Sequence, residues 1–184
     1  MNIKDYNQQA LQTRIYPNVG NNYAYCLFGL VGESGELLEK SFSETEDFNL
    51  QDVIKELGDN TWYVVGLADE LKLSERFLNS TFNSNQSAVD LEKSGVDYHV
   101  SLVRLPILIG TIGEIVKKAI RDNNGVIPEA KLEVIYNVLV EYWNQLILIS
   151  NILGYTIEEV CQINIDKLTK RAVEGKISGS GDNR

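Results

Sequence analysis

The sequence has few residues of several types, and each shortage excludes a class of site or location. One histidine, His99, in 184 residues excludes sites built from several imidazoles, such as a di-iron bundle with Glu-x-x-His pairs. The two cysteines, Cys26 and Cys161, lack metal-ligand spacing, so we expect buried free thiols. The most apolar run, LILISNIL at 146–153, is too short to span a bilayer, and no secretory leader opens the chain. We therefore expect a cytoplasmic protein without membrane contact.

Positive charge is also in short supply. The chain carries 17 lysines and arginines against 26 aspartates and glutamates, for a formal net charge of −9. This balance argues against broad contact with a nucleic-acid polymer, which needs a basic surface. An acidic protein that handles phosphate groups needs cations to bridge the repulsion, so a metal site is worth seeking.

Helical periodicity dominates the sequence, and no segment alternates convincingly between apolar and polar residues. The class predicted is therefore all-α. Ser74 is expected to cap a short helix, and Thr156 with Glu159 forms a predicted capping box. The other helices are predicted at about 4–14, 22–42, 50–71, 98–121, 128–153 and 157–173.

Two segments resemble each other at an offset of 78 residues. LVGESGELLEKSF at 30–42 and LIGTIGEIVKKAI at 108–120 share five of thirteen residues. Chance likeness between amphipathic helices is the alternative, but we favour a duplication. It predicts copy one at 1–78, a polar linker at 79–97 and copy two at 98–184. The two copies would be helical hairpins that pack as a pseudo-dimer within the chain.

Carboxylates at matching spacing mark the first hairpin. Glu33 and Glu36 lie three residues apart, and Glu56 and Asp59 repeat that spacing on the next helix. Such pairs are common on solvated helix faces, which is the alternative interpretation. The second helix is apolar nearly all round, however, so we expect it to be enclosed by protein. Facing acidic pairs there would repel and be desolvated, and a cation removes that conflict.

The expected ligands are all oxygens, a set that selects Mg²⁺, with Mn²⁺ possible. The helix that carries Glu33 also contains a stripe of three glycines, Gly29, Gly32 and Gly35. Each glycine costs a helix interior roughly 1 kcal/mol relative to alanine. We expect this stripe to leave room for metal, water and phosphate.

GESGE followed by ELGDNTWYV resembles the ExxE…ExxD signature of MazG-like nucleoside triphosphate pyrophosphohydrolases, in the all-α NTP pyrophosphatase superfamily. YNQQALQTRIYP, GYTIEEVCQINIDKLTKR and the closing GSGDNR are similar to short phage and bacterial members. The family often has a glutamate where Gly32 precedes Glu33. In the second copy, the counterparts of Glu33 and Glu36 at the offset of 78 are expected to be Thr111 and Glu114. Four extra residues in the turn between the helices raise the offset to 82, so the counterparts of Glu56 and Asp59 are expected to be Val138 and Glu141.

The resemblance implies hydrolysis of (deoxy)nucleoside triphosphates between the α- and β-phosphates, giving the monophosphate and pyrophosphate. The four carboxylates would hold Mg²⁺, with a metal-bound water as nucleophile and Glu33 or Glu36 as catalytic base. Further homodimerisation of the pseudo-dimer is possible. Expected substrate contacts are Lys40, Trp62, Tyr63, Asn164, Lys167, Arg171 and Arg184. Isolated aromatics such as Trp62 and Tyr63 are more often core residues, and the alternative for Asn164, Lys167 and Arg171 is an ordinary charged face of a terminal helix.

Two alternatives stay open at this stage. One is a narrower dUTPase- or dCTPase-like pyrophosphatase. The other is a non-catalytic helical interaction module, a decayed relative that keeps the fold. The complete ExxE…ExxD set in the first half favours the enzyme.

Overall fold

The computed structural model describes residues 1–42, 49–81 and 97–176. Regular structure in these ranges is entirely α-helical, which confirms the all-α class. Residues 82–96 of the linker predicted at 79–97, and the tail with Arg184, lie outside the described residues. The pseudo-dimer arrangement stays a prediction. The helices are α1 (Ile3–Gln12), α2 (Tyr23–Ser41), α3 (Leu50–Glu70), α4 (Ser74–Thr81), α5 (Tyr98–Asn123), α6 (Glu129–Ile152) and α7 (Ile157–Val173).

Side-chain caps explain where most helices begin. The Asn22 side chain accepts the Tyr25 N–H ahead of α2, and the predicted capping box of Thr156 and Glu159 opens α7. Two predicted starts differ by a residue. Ser74 is the first residue of α4 rather than its cap, and Pro128 precedes α6 instead of lying in its first turn. Because α4 continues to Thr81, residues 79–81 are helix and not linker.

Helix α3 lies at the centre of the bundle. It packs along α2 on one side and contacts α6, α7 and α1 on others, while α5 packs along α6 and against α2. Val53, Leu57, Val64 and Ala68 of this helix are all fully buried. The expectation that protein encloses this helix is therefore confirmed. Both cysteines are buried and free, as expected.

Helix α5 is more apolar than the sequence analysis recognised. One 18-residue window has a mean hydropathy of 1.5, so by length and composition this helix could cross a membrane. Helices α6 and α7 pass the same test only as a pair, which is bent by 95°. A core helix of a soluble bundle meets the criterion as well, and α5 packs against α2 and α6. The absence of membrane contact stays a prediction.

The glycines of α2 lie in two different environments. A Cβ on Gly29 would collide with Cε1 of Tyr63, so this glycine lets the Tyr63 ring lie against the helix backbone. A Cβ on Gly32 or Gly35 would meet no atom within 4 Å. Close packing against Tyr63 therefore explains Gly29. The space beside Gly32 and Gly35 is open, which is compatible with the expected room for metal, water and phosphate.

Glu70, near the end of α3, holds the turn that precedes α2. Its carboxylate is buried and accepts the Tyr16 hydroxyl at 2.7 Å and the backbone N–H groups of Gly20 and Asn22 at 2.7 and 2.5 Å. Burial by itself would raise the pKa of Glu70, but these three hydrogen bonds outweigh burial and lower it. The charged form is therefore the one that folding favours.

We predict opposite stability effects for two glycine-to-alanine changes. Gly29→Ala should destabilise the fold by several kcal/mol, because the new Cβ would collide with Tyr63. Gly113→Ala on α5 meets no atom within 4 Å and should stabilise the fold by up to about 1 kcal/mol. Denaturant unfolding measures both values. A neutral or stabilising Gly29→Ala would contradict the close packing of Tyr63.

We also predict a pH-dependent role for Glu70. Since its pKa is lower in the folded state, its contribution is present above the unfolded pKa of about 4.3 and is lost as pH falls through the folded value. Glu70→Gln should cost about 1–3 kcal/mol at pH 7, with a gap to wild type that narrows in acid. Unfolding between pH 7 and 3 measures this gap, with the exposed Glu75→Gln as the charge-matched control. A gap independent of pH would contradict the prediction.

Candidate metal centre

Three of the four predicted carboxylates come together between α2 and α3. Glu33, Glu56 and Asp59 each offer an oxygen, and these atoms lie within 4.8 Å of one another. Glu56 is fully buried, while Glu33 and Asp59 are half-buried. We call these three residues the acidic cluster. Its donors are hard oxygens that suit a divalent cation such as Mg²⁺, although the geometry does not identify the metal.

Glu36 lies outside the acidic cluster, and its side chain is exposed. Three residues along an α-helix turn the side chain by roughly 300°, about 60° short of a full turn. That difference carries Glu36 outward when Glu33 faces α3. The two glutamates share a broad face of α2, but only Glu33 faces α3.

The three carboxylates of the acidic cluster repel one another, and this repulsion affects the pKa of Glu33. Burial raises the pKa of Glu33 well above its usual range. The charges of Asp59, Glu56 and Glu36, together with a hydrogen bond to Glu56, raise it further. Glu33 therefore favours a proton when no cation is bound. A divalent ion close to these oxygens would reverse the direction of this shift.

Two lysines contact the acidic cluster from different helices. Lys40, in the last turn of α2, forms an ion pair with Oε1 of Glu56. From α7, the Lys167 Nζ lies 2.5 Å from Oδ2 of Asp59. Both lysines were predicted to contact substrate. In this structure they contact two of the predicted metal ligands, which places them at the same site.

Asn164 fixes the other oxygen of Asp59. Its side chain is fully buried, and Nδ2 donates to Oδ1 of Asp59 at 2.8 Å. The Asn164 Oδ1 in turn accepts the hydroxyl of Tyr6 from α1 at 2.8 Å. Gly58 permits this approach, because a Cβ there would lie 2.9 Å from the Asn164 Cβ. Helices α1, α3 and α7 thus hold Asp59 in one orientation.

Asn60 is a supporting residue that the sequence analysis missed. Its fully buried amide donates to the backbone carbonyls of Glu33 at 3.0 Å and Glu56 at 2.8 Å. The hydroxyl of Tyr142, on α6, donates to the Asn60 Oδ1 at 2.5 Å. One amide therefore ties together the backbones that carry two cluster ligands. A polar residue on an otherwise apolar helix face was the available signal.

The remaining predicted substrate contacts lie in different places. Trp62 is only 8% exposed and donates to the Thr13 hydroxyl at 2.8 Å, so it lies in the core. Tyr63 is half-buried, and its pKa is raised by burial, by Tyr25 and by the nearby charge of Glu33. Arg171 is buried in α7, while Arg184 lies outside the described residues. Of the two aromatics, Tyr63 is the one beside the acidic cluster.

The second half has no equivalent cluster among the residues described. Val138 is buried, and Thr111 is exposed and donates to its own helix. Glu114 pairs with lysines of its own helix, and Glu141 pairs with Arg104 at the surface. The two carboxylates that persist there are neutralised in solvent and do not converge.

Comparison with known proteins places the chain in a phage-related family. It is 38% identical over 83 residues to the Gene 37 protein of Mycobacterium phage L5, a match that covers 39% of this chain and 73% of the phage protein. The chain belongs to the same family as that protein, whose name states no activity. No family model matches the sequence, and no solved structure matches the fold.

We predict that Lys167 competes with a metal ion for Asp59. Lys167→Met should tighten Mn²⁺ binding by about tenfold, or about 1.4 kcal/mol, because it removes a positive charge 2.5 Å from a ligand oxygen. Titration calorimetry measures the affinity. The exposed Lys170→Met, on the same helix, removes the same formal charge and should change little. Weaker Mn²⁺ binding by Lys167→Met would show that the lysine supports the site instead.

Proposed function

We propose that this protein is a Mg²⁺-dependent (deoxy)nucleoside triphosphate pyrophosphohydrolase. It would cleave the bond between the α- and β-phosphates and release the monophosphate and pyrophosphate. The observation that carries the proposal is the convergence of Glu33, Glu56 and Asp59 within 4.8 Å. The ExxE…ExxD resemblance supplies the reaction, and the open space beside Gly32 and Gly35 is compatible with a substrate next to the carboxylates.

The acidic cluster would hold the ion, with Glu36 as the fourth ligand that the resemblance implies. Bound Mg²⁺, or Mn²⁺ in its place, would neutralise the triphosphate and lower the pKa of a water molecule. Glu33 and Glu36 are the candidates for the base that accepts the proton of the attacking water. Asn60 and Asn164 would keep the ligands in position through their hydrogen bonds to the Glu33 backbone and the Asp59 side chain.

Lys40 and Lys167 would act on the phosphates. Both ammonium groups already lie at the acidic cluster, paired with Glu56 and Asp59. A divalent ion that takes over these carboxylates would leave the lysines beside the triphosphate, where their charge stabilises the negative charge of the leaving pyrophosphate. Arg171 and Arg184 stay predictions as further substrate contacts.

One observation favours a second candidate function. Glu56 and Asp59 each have a lysine partner, so the acidic cluster is partly balanced without any metal. A non-catalytic helical module would keep the carboxylates as buried ion pairs that hold α2, α3 and α7 together. Narrower dUTPase- or dCTPase-like specificity is a variant of the first proposal, and a panel of nucleotides distinguishes it.

The proposal predicts pyrophosphate release from dNTPs with Mg²⁺. Glu36→Gln and Asp59→Asn should each lower turnover at least about 100-fold, because each removes charge stabilisation from the transition state. Circular dichroism should show an intact helical fold. The matched control is Glu114→Gln, which changes the counterpart of Glu36 on α5 and should leave turnover unchanged. Product analysis separates pyrophosphate from orthophosphate.

Three results would count against the enzyme. Orthophosphate release would indicate a different reaction, and wild-type turnover in Asp59→Asn would remove the assigned site. An absence of turnover with every nucleotide, together with no Mn²⁺ binding, would favour the non-catalytic module.

A further inference from the structure

Two rows of residues along α2 share the same order of residue types: aromatic, glycine, glutamate. Tyr25, Gly29 and Glu33 form one row, and Phe28, Gly32 and Glu36 form the other. Within each row the residues are four apart, so they are neighbours on the helix surface. Each row therefore begins with an aromatic ring, continues over a glycine and ends at a carboxylate of the proposed site.

Protein covers the first row at Gly29, and we call it the closed row. The Tyr63 ring covers Gly29, where an added Cβ would collide with Cε1 of that ring. Tyr25 stacks on Tyr16, with ring centroids 4.2 Å apart and planes at 20°. Glu33 at the end of this row belongs to the acidic cluster. No room for a ligand is left over Gly29.

The second row is open along its whole length. Phe28 is 72% exposed, and its ring stacks with no other ring in the described part of the chain. Gly32 has no atom within 4 Å of an added Cβ, and Glu36 is exposed. A phenylalanine this exposed contributes little of the stabilisation that burial of its ring would provide. We call Phe28, Gly32 and Glu36 the open row.

The length of the open row suits a nucleotide. Eight residues separate Phe28 from Glu36, and a rise of 1.5 Å per residue gives about 12 Å along the helix axis. A nucleoside triphosphate spans a comparable distance from its base to its phosphates. An aromatic ring at one end and carboxylates for a metal at the other match the two chemically different ends of such a substrate.

We propose that the nucleoside part of the substrate lies along the open row, with the base stacked on Phe28 and the sugar over Gly32. This inference rests on the proposed function. Neither Phe28 nor Gly32 has a side-chain hydrogen-bonding group, so recognition is by stacking. Every base has a π-face, and stacking therefore discriminates weakly between bases. The substrate class is nucleoside triphosphates of any base, with purines bound more tightly than pyrimidines because their ring systems are larger.

The second half lacks the aromatic end of both rows and the carboxylate of the closed row, although Glu114 stands at the carboxylate end of the open row. At the offset of 78 residues, the closed row corresponds to Val103, Ile107 and Thr111, and the open row to Pro106, Gly110 and Glu114. Gly110 is as open as Gly32, yet it has no aromatic residue in its row and no acidic cluster beside it. An open glycine therefore does not mark the site. The combination with Phe28 and the carboxylates does.

The experiment compares a nucleotide with a probe that lacks a base. Calorimetry with Mn²⁺ measures binding of the non-hydrolysable α,β-imido analogues of dATP and dTTP, and of inorganic triphosphate. Wild type should bind the dATP analogue most tightly and inorganic triphosphate most weakly. Phe28→Ala should weaken the dATP analogue by about 10- to 100-fold and leave inorganic triphosphate unchanged. Ile107→Ala, an exposed apolar residue on α5, is the matched control.

A second variant tests the floor of the open row. Gly32→Leu should also weaken both nucleotide analogues, because its side chain would occupy the space now open beside α2. Binding of Mn²⁺ alone should persist in this variant. If Gly32→Leu left nucleotide binding intact, the sugar would not lie there and the inference would be overturned.

The outcomes separate this inference from the proposed function. Equal affinity for the nucleotide analogues and inorganic triphosphate would overturn the stacking role while leaving the metal site standing. The stacking role is also overturned if Phe28→Ala alters the oligomeric state in light scattering without changing nucleotide binding, since Phe28 would then belong to an interface. Failure to bind Mn²⁺ or any triphosphate would reject the proposed function and the inference with it.

Discussion

The balance of charge between α2 and α3 is the constraint on which the rest of the structure depends. Glu33, Glu56 and Asp59 bring three carboxylates within 4.8 Å, an arrangement that repels itself and is partly removed from water. In the absence of an ion, the ammonium groups of Lys40 and Lys167 reduce this repulsion. The raised pKa of Glu33 reduces it further, because it favours the uncharged carboxyl group. Since Lys167 lies on α7, its ion pair with Asp59 also connects the last described helix to the first hairpin. Removing one partner of a buried ion pair destabilises a protein by far more than the intact pair stabilises it. The contact between α7 and α3 is therefore specific to these partners.

Helix α3 serves the core and the site at the same time. Its apolar positions are buried against α2 and α6, while Glu56, Asp59 and Asn60 extend from the same turns. Asn60 is the residue that links these two roles, because its amide reaches the backbones of both α2 and α3 and accepts the Tyr142 hydroxyl. Ligands carried by a buried helix have little freedom to rotate, which favours a preformed site. The same rigidity means that a core defect near Asn60 would disturb the ligands as well.

Local rules predicted much of this arrangement from the sequence. Helical periodicity and caps predicted the helices and most of their ends. The expected enclosure of α3 is seen in its buried apolar positions, such as Val53 and Leu57. Spacing also identified three residues of the acidic cluster. Glu36 lies outside the cluster, because i, i+3 spacing does not fix which neighbour a side chain faces, and its role as a ligand stays a prediction. Asn60 and Tyr142 escaped notice because their hydrogen bond joins residues 82 positions apart, a contact that depends on tertiary packing.

The difference between the two halves supports the proposal that the carboxylates serve a ligand and not stability alone. Both hairpins pack their helices against each other, so an α2–α3 type of contact does not require a buried acidic cluster. In the second half an apolar residue, Val138, is the predicted counterpart of Glu56, and it is buried. Replacing buried charges by apolar side chains is often neutral or stabilising. The first half nevertheless retains three carboxylates, two lysines to balance them and an open helix face beside them. That combination has a physical rationale when a cation and a phosphate-bearing ligand take the place of the lysine contacts.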